Sequence, residues 1–370
     1  MDSIGIICEY NPFHNGHLYH INKCKELFPD SVIVLVLNGY FLERGDISIL
    51  TKEDKSKIAL EAGVDLVIEL PFVFGTQSAD IFAYNSIKLL DSLKVDKILF
   101  GSESNNIELL ERIVEFQLNN KEYNNNVKEL MDQGINYPTA MAKALNIKDN
   151  INNPNDLLGI SYIKAIKQIN NKIKYYTIKR TNDFHDNESN NNVVSASNIR
   201  EKIKNNIDIV NHLPKYSFDR ILNVNFDYFN LLKYKIIIEK DLSIYLDVDE
   251  GIENRLKIAI NNSNSLDELI KNVKTKRYTY NKINRMFIHI LIGLTKEDVK
   301  DIKLDYIKLL GFNTLGKKYL NRIKKNIELP LFNKSIDSMV YNYEMIASKV
   351  YDLITNLNTM DFEKKNKPVD

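Results

Sequence analysis

His14 and His17 flank Asn15-Gly16 in the stretch Ile4-Gly-Ile-Ile-Cys-Glu-Tyr-Asn-Pro-Phe-His-Asn-Gly-His-Leu-Tyr-His20. Two imidazoles beside a glycine suit phosphoryl chemistry. Imidazole N–H groups can donate to charge developing on a phosphoryl group. Gly16 lets the backbone approach a ligand closely, because it has no Cβ. The apolar run Ile4–Cys8 reads as a strand, which Glu9, Tyr10, Asn11 and Pro12 stop. Leu18, Ile21, Cys24 and Leu27 then recur with helical spacing. The histidines therefore fall where a tight loop becomes a helix. The free N–H groups and positive dipole end of such a helix attract phosphate. Phe13 and Tyr10 can pack on a nucleotide or a small acyl group. Two other readings exist: a helix start with two solvated histidines, and a metal site from His14, His17 and His20. The i, i+3, i+6 spacing does not hold all three on one face, and zinc sites usually add Cys or carboxylate ligands. No metal ligands are assigned.

The surrounding elements alternate. Val32–Leu37 reads as a strand covered on both faces, followed by a polar loop, Gly39–Ser48, with Arg44-Gly45-Asp46. Thr51-Lys-Glu-Asp54 reads as a capping box opening a helix that ends near Gly63. Val64–Leu70 is a third strand, closed by Pro71. Ser78 opens a helix to about Leu93, and Val95–Phe100 is a fourth strand ending in Gly101-Ser102-Glu103. Residues 104–170 read as helical, with a break at Asn152-Asn-Pro-Asn155. Lys174–Lys179 is a fifth strand ending at Arg180, and Asn182–Asn192 is expected to be a mobile polar loop. Ser195-Ala-Ser197-Asn-Ile-Arg200 starts another helix with hydroxyls at its N-terminus. This order predicts an α/β, doubly wound, parallel five-stranded domain with right-handed crossovers. Ligands bind beyond the carboxyl ends of such strands, where His14, Arg44 and Gly101 fall.

After residue 207 the pattern changes. Segments 216–238, 264–274, 281–293 and 340–356 read as amphipathic helices, with one possible strand at Ser243–Val248 and a polar, frayed tail from Asp361. The expected division is a catalytic domain, 1–207, and a mainly helical domain, 208–370. From Lys271 to Ile290 there is no acid. Lys276, Arg277, Lys282 and Arg285 are interleaved there with Tyr278, Tyr280 and Phe287, a composition suited to phosphates and unpaired bases. A solvated basic helix face is the alternative. The 370 residues carry a net charge of +1, so a polyanion must be held by a local patch. No apolar run approaches the roughly 18 residues of a membrane span, and no signal peptide is visible. Cys8 and Cys24 fit buried free thiols of a reducing, cytoplasmic setting.

The first motif resembles the His-x-Gly-His signature of the nucleotidyltransferase superfamily, whose histidines stabilise attack on the α-phosphate of a nucleoside triphosphate. Residues 195–200 resemble its second motif, Ile-Ser-Ser-Thr-x-Ile-Arg, with Val194, Ala196 and Asn198 as departures. Glu9–His17, Phe41-Leu-Glu-Arg-Gly45, Val64–Pro71, Ala79-Asp80 and Phe100–Glu103 occur in one order. So do Pro154-Asn155 with Leu-Leu-Gly159, Ile178-Lys-Arg180 with His185-Asp186, and Lys276-Arg-Tyr-Thr279 with Arg285. Together they resemble the bacterial tRNA(Met) cytidine acetate ligase family. Glu43, where Gln is expected, and the absence of proline after Asp46 are departures.

The resemblance implies a ligase. ATP and acetate form acetyl-adenylate, and the acetyl group passes to N4 of the wobble cytidine of elongator tRNA(Met). By it, His14 and His17 are catalytic. The ATP contacts it implies are Ile7, Cys8, Glu9, Tyr10, Asn11, Pro12, Phe13, His14, Asn15, Gly16, His17, Leu18, Tyr19 and His20, then Gly101, Asn155 and Arg180, with Ser195, Ser197 and Arg200 on the triphosphate tail. Mg²⁺ is expected on the phosphates. Arg44, Lys276, Arg277, Lys282 and Arg285 are the expected contacts to the tRNA anticodon loop. No membrane or DNA partner is expected. A small-molecule adenylyltransferase, an acetate ligase acting on a protein thiol, and a non-catalytic RNA-binding protein are the alternatives. The long helical region after residue 207 and the basic aromatic patch speak against the first two, and the intact histidine motif against the third.

Overall fold

Aliphatic and β-branched runs make the sheet, and capped amphipathic segments cover it. The computed structural model describes residues 1–145, 153–180, 194–332, 336–365 and 367–370. The expected loop Asn182–Asn192, with His185-Asp186, and Asn152 lie outside them. β1 (Asp2–Cys8) leads into α1 (Asn15–Leu27), β2 (Ser31–Asn38), α2 (Lys52–Ala62), β3 (Leu66–Leu70), α3 (Phe72–Gly75), α4 (Ala79–Ser92) and β4 (Lys97–Ser102). Then come α5 (Ile107–Asn119), α6 (Lys121–Asp132), α7 (Tyr137–Leu145), α8 (Pro154–Ile169), β5 (Lys174–Lys179) and α9 (Ala196–Lys204). All of β2 is buried, as its continuous apolar sequence requires. Thr51 caps α2 by accepting from Asp54 N–H, and Gly63 ends it at φ 100°, where a Cβ would be strained.

The strand order is β5-β4-β1-β2-β3-β6, and the first five strands are parallel. The crossover direction reverses at β1. That strand pairs with β2 along its whole length but with β4 only at Ile4 and Gly5. The carboxyl halves of β1 and β4 therefore part, and a crevice opens at the switch point. Gly5 lets α4 pack closely on the sheet there, since a Cβ would lie 2.7 Å from Leu90 Cδ1.

The later elements are α10 (Lys215–Phe218), α11 (Phe229–Ile238), α12 (Ile252–Asn261), α13 (Leu266–Val273), α14 (Tyr280–Ile292), α15 (Lys296–Asp301), β6 (Leu309–Phe312), α16 (Thr314–Ile323), α17 (Met339–Thr355) and α18 (Met360–Lys365). Four expectations are corrected here. Ser243–Val248 is not a strand; it holds a 3₁₀ turn, Leu242–Ile244, and one bridge from Tyr245 to Thr295. Segment 216–238 is two helices rather than one. A sixth strand, β6, adds antiparallel to β3, and its four residues are too few to show alternation. The tail is docked rather than frayed, because Glu363 is buried and Val369 N–H donates to Leu310 O at 2.9 Å.

These returns bind the chain on either side of residue 207 together. One hydrophobic cluster contains Val34 and Phe100 of the sheet with Leu232, Phe287 and Tyr351 of the later helices. Beside it lies a buried ionic cluster. Lys52 Nζ is 2.6 Å from each of the carboxylates of Glu69, Glu344 and Glu363, and Lys308 pairs with Glu363 and Glu69. Among the described residues no helix is long and apolar enough to cross a membrane.

Candidate active site

The crevice at the switch point is walled by residues from seven places in the chain. From 7–20, Ile7, Cys8, Glu9, Tyr10, Asn11, His14, Gly16, His17, Tyr19 and His20 line it. Gly101, Asn155, Arg180, Ser195, Ser197, Arg200 and Arg44 join them. Pro12, Phe13, Asn15 and Leu18 do not line it. Phe13 was expected to pack on a ligand. It is instead fully buried under the loop, edge-on to Tyr10 at 4.8 Å. Asn15 Nδ2 turns outward to Asn211 O (2.9 Å).

Backbone donors set the histidine tautomers. His14 is the N-cap of α1; its Nδ1 accepts from Gly16 N–H at 3.0 Å, and His17 Nδ1 accepts in return from His14 N–H at 3.2 Å. A capping box normally uses hydroxyl and carboxylate oxygens; here two imidazole nitrogens do the same work. With both Nδ1 atoms accepting, each neutral ring carries its proton on Nε2. The rings sit 3.9 Å apart. Burial lowers the His14 pKa to about 3, helped by the Arg180 and Arg200 charges. His17 is pushed well below the usual range by burial and by His14. The site thus presents two neutral Nε2–H donors at the start of a helix. His20 Nε2 donates to Leu99 O (3.0 Å), a carbonyl of the strand that β1 has left.

The remaining polar groups are tied together. Arg180 Nη1 donates to Asn155 Oδ1 (3.3 Å), and Asn155 Nδ2 donates to Glu103 Oε1 (2.6 Å). Glu103 also accepts from Asp156 N–H, fixing the start of α8. A Cβ on Gly101 would stand 3.2 Å from Arg180 Cγ. Ser195 caps α9 by accepting from Asn198 N–H (3.2 Å), and Ser197 is exposed at the same end. Arg200 donates to Asn11 O (2.8 Å) and Asp46 Oδ2 (2.9 Å), so a phosphate would compete with Asp46 for it.

Sequence reasoning passed over Leu42, Phe82, Phe100, Leu158 and Tyr162 as lining residues; Glu43 and Asp46, noted there only as departures, line the wall too, as do Ile178, Lys179, Val194 and Ala196. The i, i+3, i+7 spacing of Asn155, Leu158 and Tyr162 on one helix was a signal available in the sequence. Glu43 has its pKa raised to about 7 by burial, opposed by Arg285 and assisted by Glu9.

None of Lys276, Arg277, Lys282 and Arg285 lines the crevice. The acid-free window meets acids from elsewhere. Arg277 pairs with Glu250 (2.8 Å), Lys282 with Asp249 (3.8 Å), and Arg285 with Asp247 (3.5 Å) and Glu43 (3.9 Å). Arg285 is only 13% exposed. Lys271, Lys274 and Lys276 stay exposed and form no ion pair among the described residues. Gly45 joins this region to the crevice. At φ +79°, a Cβ there would stand 2.5 Å from Arg285 N. No group of three or more metal-ligating side chains occurs among the described residues.

Comparison with known proteins places this arrangement. A model of the HIGH Nucleotidyl Transferase family matches residues 1–367. A tRNA(Met) cytidine acetate ligase of Fusobacterium nucleatum is 38% identical, over 94% of both chains. Another, from Clostridium novyi, is 37% identical over 100% of this chain and 99% of its own. The crystal structure of apo Thermotoga maritima TmcAL superposes with a TM-score of 0.89 at 28% identity, covering 98% of both chains. The same protein bound with alpha-thio ATP gives 0.86 at 27% identity, with the same coverage. The chain belongs to the tRNA(Met) cytidine acetate ligase family of HIGH nucleotidyl transferases.

Proposed function

We propose that this chain joins acetate to ATP as acetyl-adenylate and passes the acetyl group to N4 of the wobble cytidine of elongator tRNA(Met), giving N4-acetylcytidine. The observation that carries the first half is the paired histidine cap, with two neutral Nε2–H donors at the N-terminus of α1 and Arg180 and Arg200 in the same crevice. Acetate is ionised at neutral pH, so one of its oxygens attacks the α-phosphorus without a base. The bond to the β-phosphate breaks, and pyrophosphate leaves. Positioning and charge stabilisation are what this step needs. His14 and His17 donate to the phosphoryl oxygens, Ser195 and Ser197 receive the phosphate tail at the start of α9, and Arg200 exchanges Asp46 for phosphate. Gly101, Asn155 and Arg180 hold the nucleoside on the β4–β5 side. Mg²⁺ would neutralise phosphate charge. Nucleotide cations of this kind take mostly phosphate and water ligands, which fits a crevice with few free carboxylates.

The support for tRNA as acceptor is the naming of the close relatives as tRNA(Met) cytidine acetate ligases. We place tRNA contact on Arg44 at the crevice mouth and on the exposed lysines Lys271, Lys274 and Lys276, with Arg277, Lys282 and Arg285 shaping that surface through their acids. The test is acetate-dependent exchange of labelled pyrophosphate into ATP, with N4-acetylcytidine then measured in tRNA(Met). Exchange that ignores acetate would overturn the proposal.

A further inference from the structure

We propose that Glu9 is the general base of the acyl-transfer step, taking a proton from the exocyclic amine of cytosine. The inference rests on the ligase reading above. Adenylation needs no base, but transfer does. The N4 lone pair is conjugated with the ring, and its attack on the acetyl carbonyl carbon places positive charge on nitrogen. A proton must leave N4 for a nearby acceptor. The tetrahedral adduct then collapses, its bond to the AMP oxygen breaks, and AMP departs with that electron pair.

The crevice holds few groups able to take this proton. The Nδ1 atoms of His14 and His17 are occupied by backbone donors, and their Nε2 atoms already carry hydrogen. His20 is held through Nε2 to Leu99 O, and burial lowers its pKa to about 4. Asp46 pairs with Arg200 at 2.9 Å and returns to it once pyrophosphate has left, so it is held during transfer. Glu43 faces Arg285 and Arg44. The Cys8 thiol is pushed up to about 12 by burial, far from a thiolate at neutral pH.

Glu9 is different. Its Oε1 accepts from Asn38 Nδ2 at 2.9 Å and from Glu43 N–H at 2.7 Å. Its Oε2 has no hydrogen-bond partner among the described residues, and the side chain lines the crevice. Asn38 is itself locked, donating also to Gly75 O (3.0 Å) while its Oδ1 accepts from Gly39 N–H (2.9 Å). One carboxylate oxygen is thus anchored and the other left to the cavity, the arrangement a positioned base requires. Placement agrees. Glu9 and Asn38 follow β1 and β2, while Gly101 and Arg180 lie at the ends of β4 and β5. The acceptor amine would approach on the β2 side, across β1 from the nucleoside. Carboxylates are the usual partners of the cytosine amine. Phe82, Leu158 and Tyr162 supply an apolar wall for a flat base.

The test separates the two half-reactions in Glu9→Gln, which can still accept at Oε1 but cannot take a proton. Pyrophosphate exchange and tRNA acetylation are measured on the same preparation, together with capture of the adenylate by hydroxylamine, a nucleophile that needs no base. The ratio of tRNA acetylation to exchange is expected to fall at least about 100-fold, while the ratio of hydroxamate formation to exchange holds. Should this variant lose exchange too, Glu9→Asp gives the same ratio with the carboxylate withdrawn, expected to fall at least about tenfold. A variant keeping the wild-type acetylation ratio overturns the inference and leaves the ligase reading intact. A wild-type enzyme without acetate-dependent exchange overturns that reading, and this inference with it.

Discussion

Lys52→Met should cost about 3–5 kcal/mol of stability at pH 7.5, and the deficit should shrink at pH 5. Lys52 is fully buried, with three carboxylates at 2.6 Å. With Lys308 the cluster holds two ammonium groups against three carboxylates, one negative charge in excess if all ionise. Glu69 carries the strain of that excess, its pKa raised to about 7 by burial first and by the Glu344 charge next. Glu363 is held down at about 2, because the Lys308 and Lys52 charges outweigh its burial. Removing Lys52 leaves one cation for three buried carboxylates, and an uncompensated buried charge costs roughly 3–5 kcal/mol. In the variant Glu69, already raised, loses a neighbouring cation, so its folded-state pKa stays above the unfolded value of about 4.3. Such groups contribute most stability at low pH and lose it as pH rises. The deficit is therefore largest near neutrality. At pH 5 the wild-type Glu363 contribution persists, since it is lost only as pH falls from about 4.3 toward about 2. The assay is urea unfolding at both pH values followed by far-UV circular dichroism, since the chain has no tryptophan. A deficit below about 1 kcal/mol at pH 7.5, or one equal at the two pH values, would refute the reasoning. A functional loss should accompany it. The cluster sits against Tyr40, stacked on Tyr351 at 4.3 Å, just before the loop that carries Glu43, Arg44 and Asp46.

His14→Ala and His17→Ala should each lower acetate-dependent exchange by about 10²–10³-fold. Because burial pushes both imidazole pKa values well below the usual range, the wild-type exchange profile should show no histidine limb between pH 6 and 8; a limb near 6.5 would contradict the tautomer assignment. Gly45→Ala puts a Cβ 2.5 Å from the backbone of Arg285 at positive φ. It should cost about 1–3 kcal/mol in thermal or urea unfolding and loosen the Arg44 loop, read as a raised KM for tRNA. Changing Lys271, Lys274 and Lys276 together to Gln should weaken tRNA binding and flatten its salt dependence by about 0.7 per lost phosphate contact. Neutralising Arg277, Lys282 and Arg285 should move that slope less, because their charges already meet Glu250, Asp249 and Asp247. Filter-binding titrations across salt concentrations would separate the two sets.

Much of the chain before residue 207 was legible because its signals are local. The β2 run, the Thr51 cap, the Gly63 stop, β5 at Lys174–Lys179 and the Ser195 cap all stand where the chain pattern puts them. Each depends on neighbours within a few residues. β6 was not legible, since four residues cannot announce a strand whose partner, β3, lies some 240 positions away.

By itself, then, the sequence determined the order of elements from β1 to β5 and the placing of two histidines at the start of α1, because hydrophobic period, caps and glycine placement act over one or two turns. It did not determine which charges are free. The window from Lys271 to Ile290 has no acid of its own, yet Asp247, Asp249 and Glu250 fold against it. Glu9 and Asn38 meet across two strands, leaving one carboxylate oxygen to the crevice. Lys52 is likewise partnered by glutamates up to 311 residues distant. Only the tertiary structure decides such pairings, because electrostatic and hydrogen-bond partners are chosen by distance in space.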